Sequence, residues 1–139
     1  VGSIFRSADG FGCNNIYLTG YTACPPRKDL HKTALGAENS VPWLYFESPT
    51  DAALKIKSLG IKLVAIEQTK LSKSIYEIST DFPVCFIVGN EVTGVSEELA
   101  KLADEHIEIP MRGVKQSLNV SVATGIVGYE FARRFIYTE

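Results

Sequence analysis

Short β-rich runs alternate with helical ones along most of the chain, and this order limits the fold more than any other feature. "NIYLTG" and "PWLYFES" are short β-rich runs, "IKLVAIEQ" and "VCFIVGNE" are stronger ones, and "HIEIPM" predicts a final strand. Between them, "PTDAALKIKSLG" reads as a helix with Ser48 as N-cap, Pro49 at the first helical position and Gly60 just past the end. "SEELAKLA" opens with Ser96 and sets Leu99 and Leu102 three apart, which predicts a second, short helix. Alternation of this kind predicts an α/β fold, a mostly parallel sheet with helices on both faces. No repeat, low-complexity tract or linker divides the 139 residues, so a single domain is expected. The first residue is Val1, not methionine, and further residues are expected upstream.

The segment "IPMRGVKQSLNVSVATGIVGYEFARRF", residues 109–135, starts as the end of a strand and finishes as a long apolar stretch. Leu118, Val120, Val122, Thr124 and Ile126 alternate as a strand would, whereas Val122, Ile126 and Tyr129 share one helical face. Length favours a helix, beginning at Ser117, because a strand seldom runs through "GYEFARRF". A helix apolar on all sides must be covered on all sides. Ala123, Gly125 and Gly128 would let another backbone approach closely, which points to a subunit interface.

Composition excludes some classes. Hydrophobic content of 45% with 22% charged residues fits a folded globular chain. No apolar run reaches the ~20 residues that span a bilayer, and no signal-peptide pattern opens the chain. Cys13, Cys24 and Cys85 are scattered and odd in number, which suggests reduced thiols in the cytoplasm and offers no zinc-ligand pair. The net charge of −2 gives no general attraction to nucleic acid, but cations cluster locally. "PRKDLHK" at 26–32 holds three cations against one anion, and Arg112, Lys115, Arg133 and Arg134 lie around the 109–135 segment.

Three polar sites adjoin apolar elements. In "VGSIFRSADGFG", Ile4, Phe5, Ala8 and Phe11 form one helix face, and Arg6 lies off it, free to bind an anion. "GFGCNN" starts like a dinucleotide loop but has Asn15 where the third glycine belongs, and it follows a helix, so a Rossmann site is rejected. In "FIVGNEVTGVS", a strand ends at Gly89, Asn90 and Glu91, the end of an open α/β sheet where ligands bind. No G-K-[ST] follows, so a P-loop is absent. At the third site a basic loop, "RGVKQ", leads to Ser117 and Asn119, each of which could simply cap the helix. His31 and His106 lie near no Ser or Cys by spacing, leaving a hydrolase triad unsupported and both as structural or surface residues.

Together, "VGSIFRSADGFG", "IVGNEVTGVS" and "IPMRGVKQSLNVSVATGIVGYE" resemble the three motifs, in order, of the SpoU or TrmH-like RNA ribose 2′-O-methyltransferases of the SPOUT superfamily. The resemblance covers nearly the whole chain. "KTALGAENSVPW" is similar to a segment of several tRNA-directed members, while the asparagine that usually opens the first motif is absent before Val1. The resemblance implies a C-terminal trefoil knot, an exception to the rarity of knots. It also implies a homodimer paired through the C-terminal helix, and S-adenosylmethionine as cofactor without a metal. By motif, Gly89, Ile109, Met111, Ser117, Leu118 and Asn119 would surround the cofactor, and Arg6, Glu91 and Asn119 would form the catalytic group. Arg6, Arg27, Lys28, Arg112 and Lys115 would meet the RNA backbone.

A ribose 2′-hydroxyl is a poor nucleophile until its proton is drawn away, so the enzyme must align the reacting atoms and assist proton loss. Arginine, with a pKa above ~12, suits electrostatic orientation better than the role of base. The resemblance implies a tRNA methyltransferase first, with an rRNA enzyme or a catalytically inactive RNA-binding relative as alternatives.

Overall fold

The computed structural model describes residues 2–20, 34–79, 81–89, 94–114 and 118–137. Its elements, in order, are α1 (Gly2–Phe11), β1 (Ile16–Thr19), β2 (Trp43–Phe46), α2 (Pro49–Ser58), β3 (Lys62–Ile66), β4 (Lys73–Ser74), β5 (Val84–Val88), α3 (Glu97–Leu102), β6 (Glu105–Glu108) and α4 (Val120–Tyr137). The chain divides into two compact units, Val1–Pro49 with Ser121–Glu139, and Thr50–Val120.

In the first unit, α1 buries Gly2, Phe5 and Ala8, the inward face of an amphipathic helix. Ile4 and Phe11 flank that face and are half-buried. The helix stops at Gly12, whose φ of +82° suits a residue without Cβ. Cys13 N–H donates to the Ala8 carbonyl at 2.9 Å and Gly12 N–H to the Asp9 carbonyl at 3.3 Å, the paired bonds of a Schellman turn. The glycines of "GFG" therefore end a helix. β1 and β2 pair in parallel, Ile16 opposite Trp43 and Thr19 opposite Phe46. Phe5, Ala8 and Leu18 pack with Ala34, Ala37 and Val41 in the core beside them.

α4 begins at Val120, three residues later than the sequence predicts from Ser117. Leu118 and Asn119 lie outside the helix. Asparagine competes with helical hydrogen bonding through its own amide and favours the position before a helix over its interior. α4 buries Val127 and Phe131 but leaves Val122 50%, Tyr129 54% and Phe135 60% exposed, so it is apolar without being covered on all sides. Gly125 and Gly128 face α1 of the same chain. A Cβ on Gly128 would overlap the Phe11 ring, and one on Gly125 would lie 3.6 Å from Ser7 Oγ. The close approach expected from a partner's backbone is thus made, on this face, by side chains of α1.

In the second unit the strand order is β4-β6-β3-β5, and every pairing is parallel. Leu63, Val64, Ala65 and Ile107 are fully buried, which accounts for the continuous apolar character of β3. α2 starts at Pro49 as predicted and buries Ala52, Ala53 and Ile56. Ser96 caps α3, its Oγ accepting the Leu99 N–H at 3.3 Å. All pairing is parallel as expected, but the described strands form two ladders, β1–β2 and the four-stranded sheet. Each ladder lies within its own unit, and no strand is shared between them. β4, with two residues, carries too little pattern to be read from sequence.

Candidate functional site at the carboxyl end of the sheet

Register brings three loops together. Ile66 of β3 lies opposite both Val88 of β5 and Ile107 of β6. The chain therefore leaves β3 at Glu67, β5 at Gly89 and β6 at Ile109 along one edge of the sheet. This is the carboxyl end, where open α/β sheets bind ligands. Gly89, Ile109, Met111 and Leu118 are half-buried there or in the segment that follows, whereas Arg112 and Asn119 are exposed. A Cβ on Gly89 would overlap the Gly94–Val95 peptide, so only glycine admits this return of the chain over the end of β5.

Glu67 and His106 were not singled out for this site by sequence. Glu67 Oε1 lies 3.1 Å from His106 Nδ1, with the side chains only 17% and 19% exposed. Glu67 N–H donates to the Ile107 carbonyl at 3.0 Å, and its own carbonyl accepts Ser72 Oγ at 2.6 Å. Ser72 Oγ also accepts the Thr69 N–H at 3.1 Å, closing a turn that delivers the chain to β4. β4 then lies against β6, Lys73 opposite Ile107 and Ser74 opposite Glu108, and Ile75 N–H donates to the Glu108 carbonyl at 3.0 Å. The pair spans 39 positions, so no local spacing could reveal it.

In the other unit, Arg6 is exposed on α1, off the buried face as expected. Beside it, Ser3 and Ser7 line an open groove of about 600 Å³ with Ser121, Val122, Ile126 and Tyr129 of α4. The Cys13 thiol donates to the Asn15 carbonyl at 3.1 Å, and burial pushes its pKa up, which keeps it protonated and poorly nucleophilic. Glu91, Ser117, Arg27, Lys28 and Lys115 lie outside the described residues, as do Cys24 and His31. Among the described residues, no helix is long and apolar enough to cross a membrane.

The donor set fits S-adenosylmethionine. Gly89 leaves the backbone at the end of β5 open to close approach, and half-buried Ile109, Met111 and Leu118 offer apolar contact to a flat base or a thioether-like chain. A family model for SpoU rRNA methylases matches residues 1–129. The tRNA (guanosine(18)-2′-O)-methyltransferase of Aquifex aeolicus is 37% identical over 95% of this chain and 62% of its own length. The 23S rRNA (guanosine-2′-O-)-methyltransferase RlmB of a Burkholderia species is 31% identical over 96% of this chain and 54% of its own. The solved structure of an AdoMet-bound rRNA methyltransferase from Sinorhizobium meliloti aligns with a TM-score of 0.87 and 31% identity, over 97% of this chain and 51% of that one. The chain thus spans little more than half the length of the relatives it matches.

Proposed function

The chain belongs to the SpoU methylase family, with its trefoil-knotted α/β fold, and from that membership we propose that it methylates a ribose 2′-hydroxyl of RNA. The observation that carries the reading is the meeting of the β3, β5 and β6 ends, which sets Gly89 and Ile109 on one sheet edge. S-adenosylmethionine, when bound, supplies the methyl group as an activated sulfonium. Gly89, Ile109, Met111, Ser117, Leu118 and Asn119 hold it, and no metal is needed. Residues 1–139 act as one methyltransferase domain.

The residues of this chain then have three tasks. Asn119 orients the hydroxyl through its amide, and Glu91 holds a polar neighbour in place by accepting from it. Arg6 stabilises negative charge developing on the oxygen as its proton leaves, an electrostatic contribution that a permanently charged guanidinium can make. Arg6, Arg27, Lys28, Arg112 and Lys115 meet phosphates. The substrate is tRNA in preference to rRNA, a reading supported by the higher identity to the tRNA-directed relative, 37% against 31%. Two copies pair through α4, whose exposed Val122, Ile126 and Tyr129 border the groove and gain from removal of water. The reaction belongs in the cytoplasm, where thiols such as Cys13 and Cys85 stay reduced.

Labelled-methyl transfer to unmodified tRNA and rRNA, followed by mapping of the modified ribose, tests the activity and the substrate together. Arg6→Ala and Asn119→Ala should each slow single-turnover transfer by about 10²-fold. Normal rates in folded variants would remove those assignments. Reversing charge at Arg27 and Lys28 should weaken RNA binding and spare the cofactor. Tyr129→Lys should shift sedimentation from dimer to monomer, and an unchanged profile would rule out pairing through this face.

A further inference from the structure

We propose that Glu67 and His106 are positioning residues that fix the point from which the donor-binding segment leaves β6. The inference rests on the reading of the sheet edge as the S-adenosylmethionine site. Glu67 is engaged on three sides. Its N–H is bound to the Ile107 carbonyl at 3.0 Å, its carboxylate to His106 Nδ1 at 3.1 Å, and its carbonyl to Ser72 Oγ at 2.6 Å. Two of these bonds land on β6, one on backbone and one on a side chain, and together they prevent the end of β3 from sliding or twisting against it. The third closes the turn into β4, whose backbone grips the opposite edge of β6 at Ile107 and Glu108.

The last turn-free residues of β6 are thereby held from both sides. Ile109 and Met111 follow immediately, and both are half-buried. An apolar pair in the place of Glu67 and His106 would fill the same space without direction, because dispersion contacts permit sliding. A carboxylate bonded to an imidazole N–H defines one angle and one distance. Taking both groups largely out of water also makes each dependent on the other. Around metal centres, orienting bonds of this kind behind the ligands are worth about 10- to 100-fold in affinity, and the lower end of that scale is expected here. His106 is thus a clamp on the strand, a role distinct from acid–base chemistry.

Calorimetric titration of the full chain with S-adenosylmethionine, paired with steady-state kinetics, tests this. Glu67→Ala and His106→Ala should each weaken binding about 10-fold and raise the KM for S-adenosylmethionine, with kcat changed less than about twofold and RNA affinity unchanged. Glu67→Gln keeps an oxygen that accepts the Nδ1 proton, and should recover affinity to within about threefold. The double alanine variant should be no weaker than either single one, since both remove the same bond. Wild-type affinity in folded Glu67→Ala would overturn the inference, as would additive losses in the double variant. Equal failure of the Gln and Ala variants, with melting temperatures falling in parallel, would assign the pair to stability alone and overturn it too. Failure of the unaltered chain to bind S-adenosylmethionine would instead bring down the reading of the site itself, and this inference with it.

Discussion

Gly89 and Gly128 are both positions where a Cβ would collide, but the objects it would strike differ. At Gly89 the obstacle is the peptide of Gly94–Val95, a backbone segment; at Gly128 it is the ring of Phe11, a half-buried side chain at the end of α1. A ring can rotate aside, whereas a peptide moves only with its neighbours. The contrast separates two kinds of precision. The sheet edge is fixed by backbone paths and directional hydrogen bonds, and the helix pair by shapes that can adjust.

Substitution at the two glycines should expose that difference. Gly89→Ala should cost about 3 kcal/mol, the upper end of overpacking effects, and abolish measurable S-adenosylmethionine binding. Urea denaturation with calorimetry checks both, and a stable variant that still binds would erase the contrast. Gly128→Ala should cost only about 1 kcal/mol, because overpacking by about 1–3 kcal/mol is partly offset by the gain of up to ~1 kcal/mol from removing a mid-helix glycine. Adding Phe11→Leu should restore most of the loss, sharpening the assignment to that ring.

The smallest effect belongs to the ion pairs along α4. Glu130 accepts from Arg133 Nη2 at 2.8 Å and from Arg134 Nε at 3.1 Å. The hydrogen bond from Arg133 leads the causes that hold its carboxyl below the ordinary value. A depressed folded-state pKa gives stability that is present above the unfolded value and lost as pH falls through the folded one. Glu130→Gln should therefore flatten the acid side of a melting profile while shifting Tm near neutrality by no more than about 2 °C. A larger shift would mean that α4 is held by charge as well as by packing.

Much of this was legible beforehand because the signals are local. The Ser96 cap, Pro49 at the start of α2, the buried face of α1 and the apolar runs of β3 and β5 all lie within a few residues. Length and the family resemblance decided for a helix after Leu118, where periodicity left strand and helix open. What escaped depends on pairing at a distance. β4 exists because Lys73 and Ser74 meet Ile107 and Glu108, not because of any propensity of its own. Glu67 and His106 become a pair only once β3 and β6 are adjacent. The use of Gly128 by α1 had the same cause, because the sequence marks a small residue without naming what will press on it.

β4 has a further consequence, for how this molecule behaves in a crowd. Among the described residues it forms one border of the four-stranded sheet, a place where a passing chain could add a strand of its own. Two residues offer too short a template for lasting recruitment, and the exposed Lys73 would have to give up water to be paired. The strand that holds β6 from its outer side also discourages fibre growth from that border.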